Sequence, residues 1–408
     1  MGKSDFKVLI YSQDGFGLGH LRRNLNICLQ VKKRYPEASI LIIADSPVAP
    51  FFKLPARCDF VKIPTIVKVD MGIWQPDRLP VTYRELLQIR SEIIQNVLLS
   101  FRPQVFLVDH MPNGALGELA VPLQKFKRSS PETKIVLGLR DILGAPEVIC
   151  EHWLKEGAYA ATETYYDSVY VYGCSEFYNL ADEYKFPEAL IAKTRYCGYV
   201  CRDSVPREFD EQALTKLFSK NSDWFVMVTG GGGSDASYFM DKFIDAVRLL
   251  SPYIPFNAII STGPFMHPDQ YKLLRRRAKG LPIFVTPMGG DTIRFTRRAD
   301  LVISMAGYNT VCEVLRLRKN AIIVPRAGPS TEQTTRSRIM SERDLFGTIH
   351  PTQLTAENFS ELILSRLQNG HHMNEKLMPD LTGAVNVAAL LVPESNHKRT
   401  QRPPTIGD

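Results

Sequence analysis

Glu313 is a lone carboxylate in an otherwise apolar stretch, and Glu332 and Gln333 follow it beyond an apolar run that Pro325 ends. A carboxylate near a helix start can accept hydrogen bonds from both hydroxyls of a ribose. A Glu-Gln pair after the next strand can read the hydroxyls of a sugar. Gly307, Asn309 and Thr310 lie just ahead of Glu313, where Asn309 or Thr310 can cap the helix that begins there. The plainer reading makes Glu313 a solvated helix residue and Glu332–Gln333 a charge pair at a helix N-terminus.

Two glycine runs carry further chemistry. Gly230, Gly231, Gly232 and Gly233, followed by Ser234, separate a buried apolar run from an amphipathic one. Glycines there can turn several backbone N–H groups inward, and the helix dipole behind them favours a diphosphate. The run is not a P-loop, because no Gly-Lys-Ser/Thr ends it. Gly15, Gly17 and Gly19 alternate ahead of His20, a spacing that is not the dinucleotide fingerprint but lets a phosphate or acceptor approach a helix N-terminus. Met288 closes 286–288, a segment after another apolar run where main-chain groups can read a uracil edge.

His20 is a candidate general base at the mouth of the chain's first helix, unless it only caps that helix. Asp109 ends the apolar run 105–108, where a carboxylate at the C-terminal end of a parallel strand faces the ligand crevice. It can alternatively cap a helix near 113–114. His110 is a competing base.

The elements that must hold these residues alternate along the chain. Strands are expected at 7–11, Ser39–Ala44, 60–63, 105–108, 134–139, 168–171 and 195–199, with helices between them at 21–34, 83–101, 146–159 and 176–184. After the charged, proline-containing stretch 202–207 the alternation resumes. A helix is expected at 208–219, and strands at Trp224–Thr229, 257–261, 282–285, 300–304, Ala321–Val324 and 348–349, with helices at 236–250, 356–367 and 383–391. A polar loop is expected at 331–336. The implied fold class is α/β, with two doubly wound Rossmann-like domains facing across a cleft. The linker divides the chain into domains at 1–201 and 202–392, with 393–408 a polar, disordered tail.

Composition narrows the function classes. At 408 residues, 44% hydrophobic and 23% charged, the chain suits two ordinary globular domains. A net charge of +7 fits an anionic ligand or membrane surface, and no nucleic-acid module is present. The seven cysteines lack zinc-site spacing and read as free thiols of a cytoplasmic protein. No signal peptide is visible, and no apolar run reaches the ~20 residues that span a bilayer.

The stretch 303–336 resembles the C-terminal domain of inverting glycosyltransferases of the GT-B fold, most closely the family 28-like branch that forms peptidoglycan lipid II. That branch has a small-residue turn, a Glu-bearing helix, a proline-ended strand and an acidic-Gln-Gln motif. Here the motif reads Glu332-Gln333-Thr334, so the second Gln is Thr. The resemblance also covers a glycine loop ending in Gly19-His20. It implies that Asp109 orients His20, that a terminal helix crosses back to the first domain, and that Phe51 and Phe52 dock peripherally on a membrane. A buried and a solvent-facing Phe would be equally ordinary there.

The expected activity is inverting, metal-independent transfer of a sugar from a nucleotide-sugar donor, above all a UDP-sugar, to an acceptor hydroxyl. No cofactor is implied, no Asp-x-Asp metal motif occurs, and the acceptor is lipid-linked or a small molecule. A sugar-nucleotide epimerase or hydrolase of the same fold, or a non-catalytic binding protein, are the rival readings.

Overall fold

Apolar runs in which both alternating faces are buried require cover on both sides, and they build two parallel sheets here. The computed structural model describes residues 6–14, 19–70, 73–202, 217–218, 222–250, 252–287, 292–326, 328 and 331–392. The first sheet comprises β1 (Lys7–Ser12), β2 (Ser39–Ala44) and β3 (Cys58–Lys62), then, after an antiparallel pair β4 (Ile66–Asp70) and β5 (Ile73–Pro76), β6 (Val105–Asp109), β7 (Lys134–Arg140), β8 (Ser168–Tyr172) and β9 (Thr194–Tyr196). Its spatial order is β3-β2-β1-β6-β7-β8-β9. The second sheet comprises β10 (Trp224–Thr229), β11 (Phe256–Ser261), β12 (Ile283–Thr286), β13 (Leu301–Met305), β14 (Ala321–Val324) and β15 (Gly347–Thr348), in the order β12-β11-β10-β13-β14-β15.

Both orders reverse direction once. The first sheet switches between β1 and β6, the second between β10 and β13. Loops leaving neighbouring strands at such a switch diverge to opposite faces and open a crevice at the carboxyl ends. His20, in the first turn of the helix after β1, and Asp109, at the end of β6, sit at the first switch, and the loops carrying Gly230 and Gly307 leave the second.

Leu9, Tyr11, Phe106 and Val108 pack on one face of the first sheet, and Val8, Ile10, Val105 and Leu107 on the other. The second of these cores runs without a break into the second domain through Tyr199, Val200, Tyr308 and Val311. The terminal helix Gly383–Leu391 crosses back to the first domain. Its Gly383 N–H donates to the Tyr199 carbonyl at 3.0 Å, and the Asn386 amide to the Cys197 carbonyl at 2.9 Å.

Several expected elements differ. The segment 146–159 forms two helices, Pro146–Lys155 and Ala158–Tyr165, because Gly157 adopts a φ of +64° that ends helical continuation. Only Leu180–Glu183 of 176–184 is helical, and the strand at 195–199 shortens to Thr194–Tyr196 with an isolated bridge from Val200 to Thr382. The hairpin β4–β5 has no counterpart in the sequence reading. Most of 208–219 lies outside the described residues. All seven cysteines are unpaired, and among the described residues no helix is long and apolar enough to cross a membrane.

Candidate active site

The first-domain wall begins at the end of β1. Asp14 is buried and caps the helix Gly19–Arg34: its carboxylate accepts the backbone N–H of His20 at 2.9 Å and that of Leu21. His20 therefore sits in the first turn, with its side chain 18% exposed. Its Nδ1 lies 2.9 Å from Asp109 Oδ2, at the end of β6. Gly15 and Gly17 lie outside the described residues. Gly19 starts the helix itself.

Asp109 is fully buried and holds more than His20. Arg23 Nη2 lies 2.8 Å from both of its carboxylate oxygens, and the Asn24 amide donates to Oδ2 at 3.1 Å. Burial by itself would raise the Asp109 carboxyl, but the charges and hydrogen bonds of Arg23 and His20 outweigh it and hold the group well below the usual carboxylate range. Arg23 Nη2 also approaches His20 Nδ1 at 2.8 Å. Both Nη2 hydrogens have an Asp109 oxygen to serve, so the arrangement is satisfied when His20 Nδ1–H donates to Asp109 and Nε2 keeps its lone pair. That is the tautomer a general base needs.

His110 follows Asp109 with a strained φ of +79°, and its ring centroid is 5.1 Å from that of His20. Burial, then the charges of Arg140 and His20, push it well below the ordinary histidine range. It stays neutral.

Asp14 shows the opposite electrostatics. Burial, reinforced by Asp45 and partly offset by His20, raises its carboxyl from 3.8 to about 6. The folded state then binds this proton more tightly than the unfolded one. The associated stability is fully present below about pH 4 and is lost as pH rises through about 6, amounting to about 3 kcal/mol. Asp14→Asn keeps an oxygen to cap the helix and removes the titration. Relative to wild type it is expected to gain up to about 3 kcal/mol between pH 4 and pH 7 in urea unfolding. An equal difference at both pH values would contradict the assigned burial.

The second-domain wall is the loop after β10. Gly230 and Gly233 are buried for packing: a Cβ on Gly230 would meet the Ala236 Cβ at 2.3 Å, and one on Gly233 the Thr262 carbonyl at 1.8 Å. Gly231, at φ +65°, faces the turn after β13, with Thr310 Oγ1 3.7 Å from where its Cβ would stand. Gly232 is half-buried, and Ser234 is exposed. Met288 lies outside the described residues.

The helix Tyr308–Arg316 begins two to three residues earlier than a cap at Asn309 or Thr310 would place it. Gly307 occupies its N-cap without a side-chain bond, so Asn309 and Thr310 are inside the first turn rather than capping it. Asn309 instead reaches across the cleft and donates its amide to the Gly19 carbonyl at 3.0 Å. Glu313 lines an interdomain cavity of about 650 Å³, together with Asn309 and Thr292 of the second domain and Arg22, Leu25 and Phe52 of the first. Phe51, 86% exposed, borders the same cavity.

Glu332 and Gln333 are not in a loop. They open the helix Glu332–Ser341 and are both buried. Gln333 Oε1 accepts the Arg326 backbone N–H at 3.1 Å, and Glu332 pairs with Arg140 of the first domain at 2.5 Å. Arg336, also expected in that loop, is 1% exposed and forms a two-pronged pair with Asp141 at 2.7 and 2.8 Å. Glu332 and Arg336 of this helix find their partners on the facing domain, and Gln333 finds its own within the second.

Sequence reading missed Arg23, Asn24 and Tyr308. Arg23 had a signal, since it lies one helical turn after His20 and shares its face. Tyr308 had none. Its partners come from the other domain.

Residues 225–380 match the glycosyltransferase family 28 C-terminal domain. Over 399 residues the chain is 22% identical to the UDP-N-acetylglucosamine--N-acetylmuramyl-(pentapeptide) pyrophosphoryl-undecaprenol N-acetylglucosamine transferase of Bacteroides fragilis, covering 97% of this chain and 94% of that protein. In fold it is similar to Acinetobacter baumannii MurG, with a TM-score of 0.55 and 15% identity over 94% of each chain. It is similar also to the UDP-GlcNAc 2-epimerase of Methanocaldococcus jannaschii, with a TM-score of 0.59 and 13% identity over 95% of this chain and 99% of that one.

Proposed function

Taking as premise that this chain is a glycosyltransferase of the GT-B fold with a family 28-type C-terminal domain, we propose that it moves a sugar from a UDP-sugar to an acceptor hydroxyl with inversion and without a metal ion. The observation that carries this reading is His20, paired to Asp109 at 2.9 Å, on the cleft wall opposite the Gly231–Gly232 loop.

The acceptor hydroxyl attacks the anomeric carbon from the face opposite the diphosphate. A C–O bond to the acceptor forms as the C–O bond to the phosphate breaks, and His20 Nε2 takes the hydroxyl proton. Asp109 stabilises the resulting imidazolium, with Arg23 fixing the carboxylate. Negative charge grows on the departing diphosphate, where the amides of Gly231 and Gly232 and the N-terminus of the helix Ser237–Leu250 favour it. These dipoles supply the stabilisation that a divalent ion gives in other transferases. Glu313 is assigned to the ribose hydroxyls, and Glu332 and Gln333 to those of the sugar.

The B. fragilis relative makes a pyrophosphoryl-undecaprenol-linked sugar the first acceptor to try. Exposed Phe51, beside Lys53, supports a peripheral contact with the surface that carries such an acceptor. The test is turnover of UDP-N-acetylglucosamine in EDTA, with and without that acceptor, and NMR of the product's anomeric configuration. Donor consumption independent of acceptor would mean an epimerase or hydrolase, and retained configuration would end the inverting mechanism.

Glu313→Ala is expected to weaken UDP binding by about 1.5–3 kcal/mol, the range for a hydrogen bond to a charged group, or about 10- to 150-fold in Kd. Calorimetry with an unchanged Kd would remove Glu313 from the donor site.

A further inference from the structure

We propose that Tyr308 and Arg23 are positioning residues through which seating of the second domain sets the geometry of the His20–Asp109 pair. The proposal rests on His20 being the base assigned above. Tyr308 belongs to the second domain yet is 8% exposed and anchored in the first. Its hydroxyl accepts the Val200 N–H at 2.8 Å and donates to the Tyr172 carbonyl at 2.8 Å.

The Tyr308 ring is one of two aromatic faces that hold the Arg23 guanidinium. The Arg23 Cζ stands 5.4 Å from the Tyr308 centroid and 5.2 Å from that of Tyr172. Arg23 is 2% exposed, and its Nε has no hydrogen-bond partner among the described residues. The rings and the Asp109 carboxylate are therefore what fix its plane. Without the second domain, one ring face is gone.

The neighbouring residues make the coupling specific. Tyr308, Asn309 and Thr310 are consecutive in one helical turn. Tyr308 touches the cation that holds Asp109. Asn309 binds the carbonyl of Gly19, the peptide leading into His20, at 3.0 Å. Thr310 faces Gly231 of the donor-side loop. A shift of this turn relative to the first domain would move the base's backbone, its carboxylate's partner and the diphosphate cradle together, because packed interiors transmit displacement rather than absorb it. Misplacement by about 1 Å can cost about 100-fold in rate.

Steady-state kinetics and UDP calorimetry on Arg23→Met, Tyr308→Leu and their double variant test this. Each single variant is expected to lower kcat by about 10- to 100-fold with UDP affinity within about threefold of wild type. The double is expected to be no worse than the poorer single, since both act through one carboxylate. Tyr308→Phe, which keeps the ring over Arg23, is expected to recover most of the turnover lost in Tyr308→Leu. On a His20→Ala background, Arg23→Met is expected to change nothing further. Single variants with kcat within twofold of wild type, or a double whose loss is the product of the two, would overturn the proposal. If Tyr308→Leu does not fold, Arg23→Met on the two backgrounds decides alone: equal losses with and without His20 refute it. High turnover in His20→Ala would instead refute the base assignment.

Discussion

His20→Ala is expected to lower turnover by about 100- to 10,000-fold, the span of general-base loss, while UDP affinity changes little. The split follows from placement. His20 lies on the first-domain wall, and every residue proposed for the donor lies on the second. Loss of the imidazole removes a proton acceptor for the attacking hydroxyl but no contact to the diphosphate. Asp109→Asn is expected to give a smaller turnover defect together with lowered stability, because Arg23 would keep a buried charge without its counter-ion. Near-normal turnover in His20→Ala, with loss in His110→Ala, would transfer the role to His110. Its strained backbone and lowered basicity argue against that outcome.

Gly232→Val is expected to weaken UDP binding by more than roughly 100-fold, about 3 kcal/mol, while the protein remains folded. The four glycines are not equivalent. Gly230 and Gly233 leave no space for a Cβ, and Gly231 and Gly233 have φ values of +65° and +92° that side chains rarely adopt. A branched residue at any of those three would perturb the fold as well as the ligand. Only Gly232 combines an unstrained backbone with room, its nearest neighbour being Phe265 Cδ2 at 3.4 Å from the Cβ position. Its side chain would enter the cradle without forcing the loop apart. Unchanged UDP affinity together with an unchanged Tm would make the loop structural.

Local information carried far along the chain. The strands Ser39–Ala44, Trp224–Thr229 and Ala321–Val324 appear at the bounds their apolar runs imply. A run buried on both faces has few other ways to satisfy its backbone, so its identity as a parallel strand is written in composition. Once strands and helices alternate, chain order and right-handed crossovers leave few topologies. The places of His20, Asp109 and the glycine loop follow from the same alternation: His20 lies in the first turn of the helix after β1, Asp109 ends β6 and the loop follows β10, and strand ends at a switch point face the crevice.

What the sequence determined by itself is thus the strands of the two parallel sheets (though not the hairpin β4–β5), the doubly wound class and the residues that sit near strand ends. The tertiary structure decided what those residues pair with. Arg23 on Asp109, Tyr308 on Arg23, Asn309 on the Gly19 carbonyl, Glu332 on Arg140 and Arg336 on Asp141 join positions 86 to 290 residues apart. No periodicity encodes such contacts, because period reports only which face of one element is buried. Their formation depends on how two sheets are seated, and burial then forces each buried charge to find the partner that seating supplies.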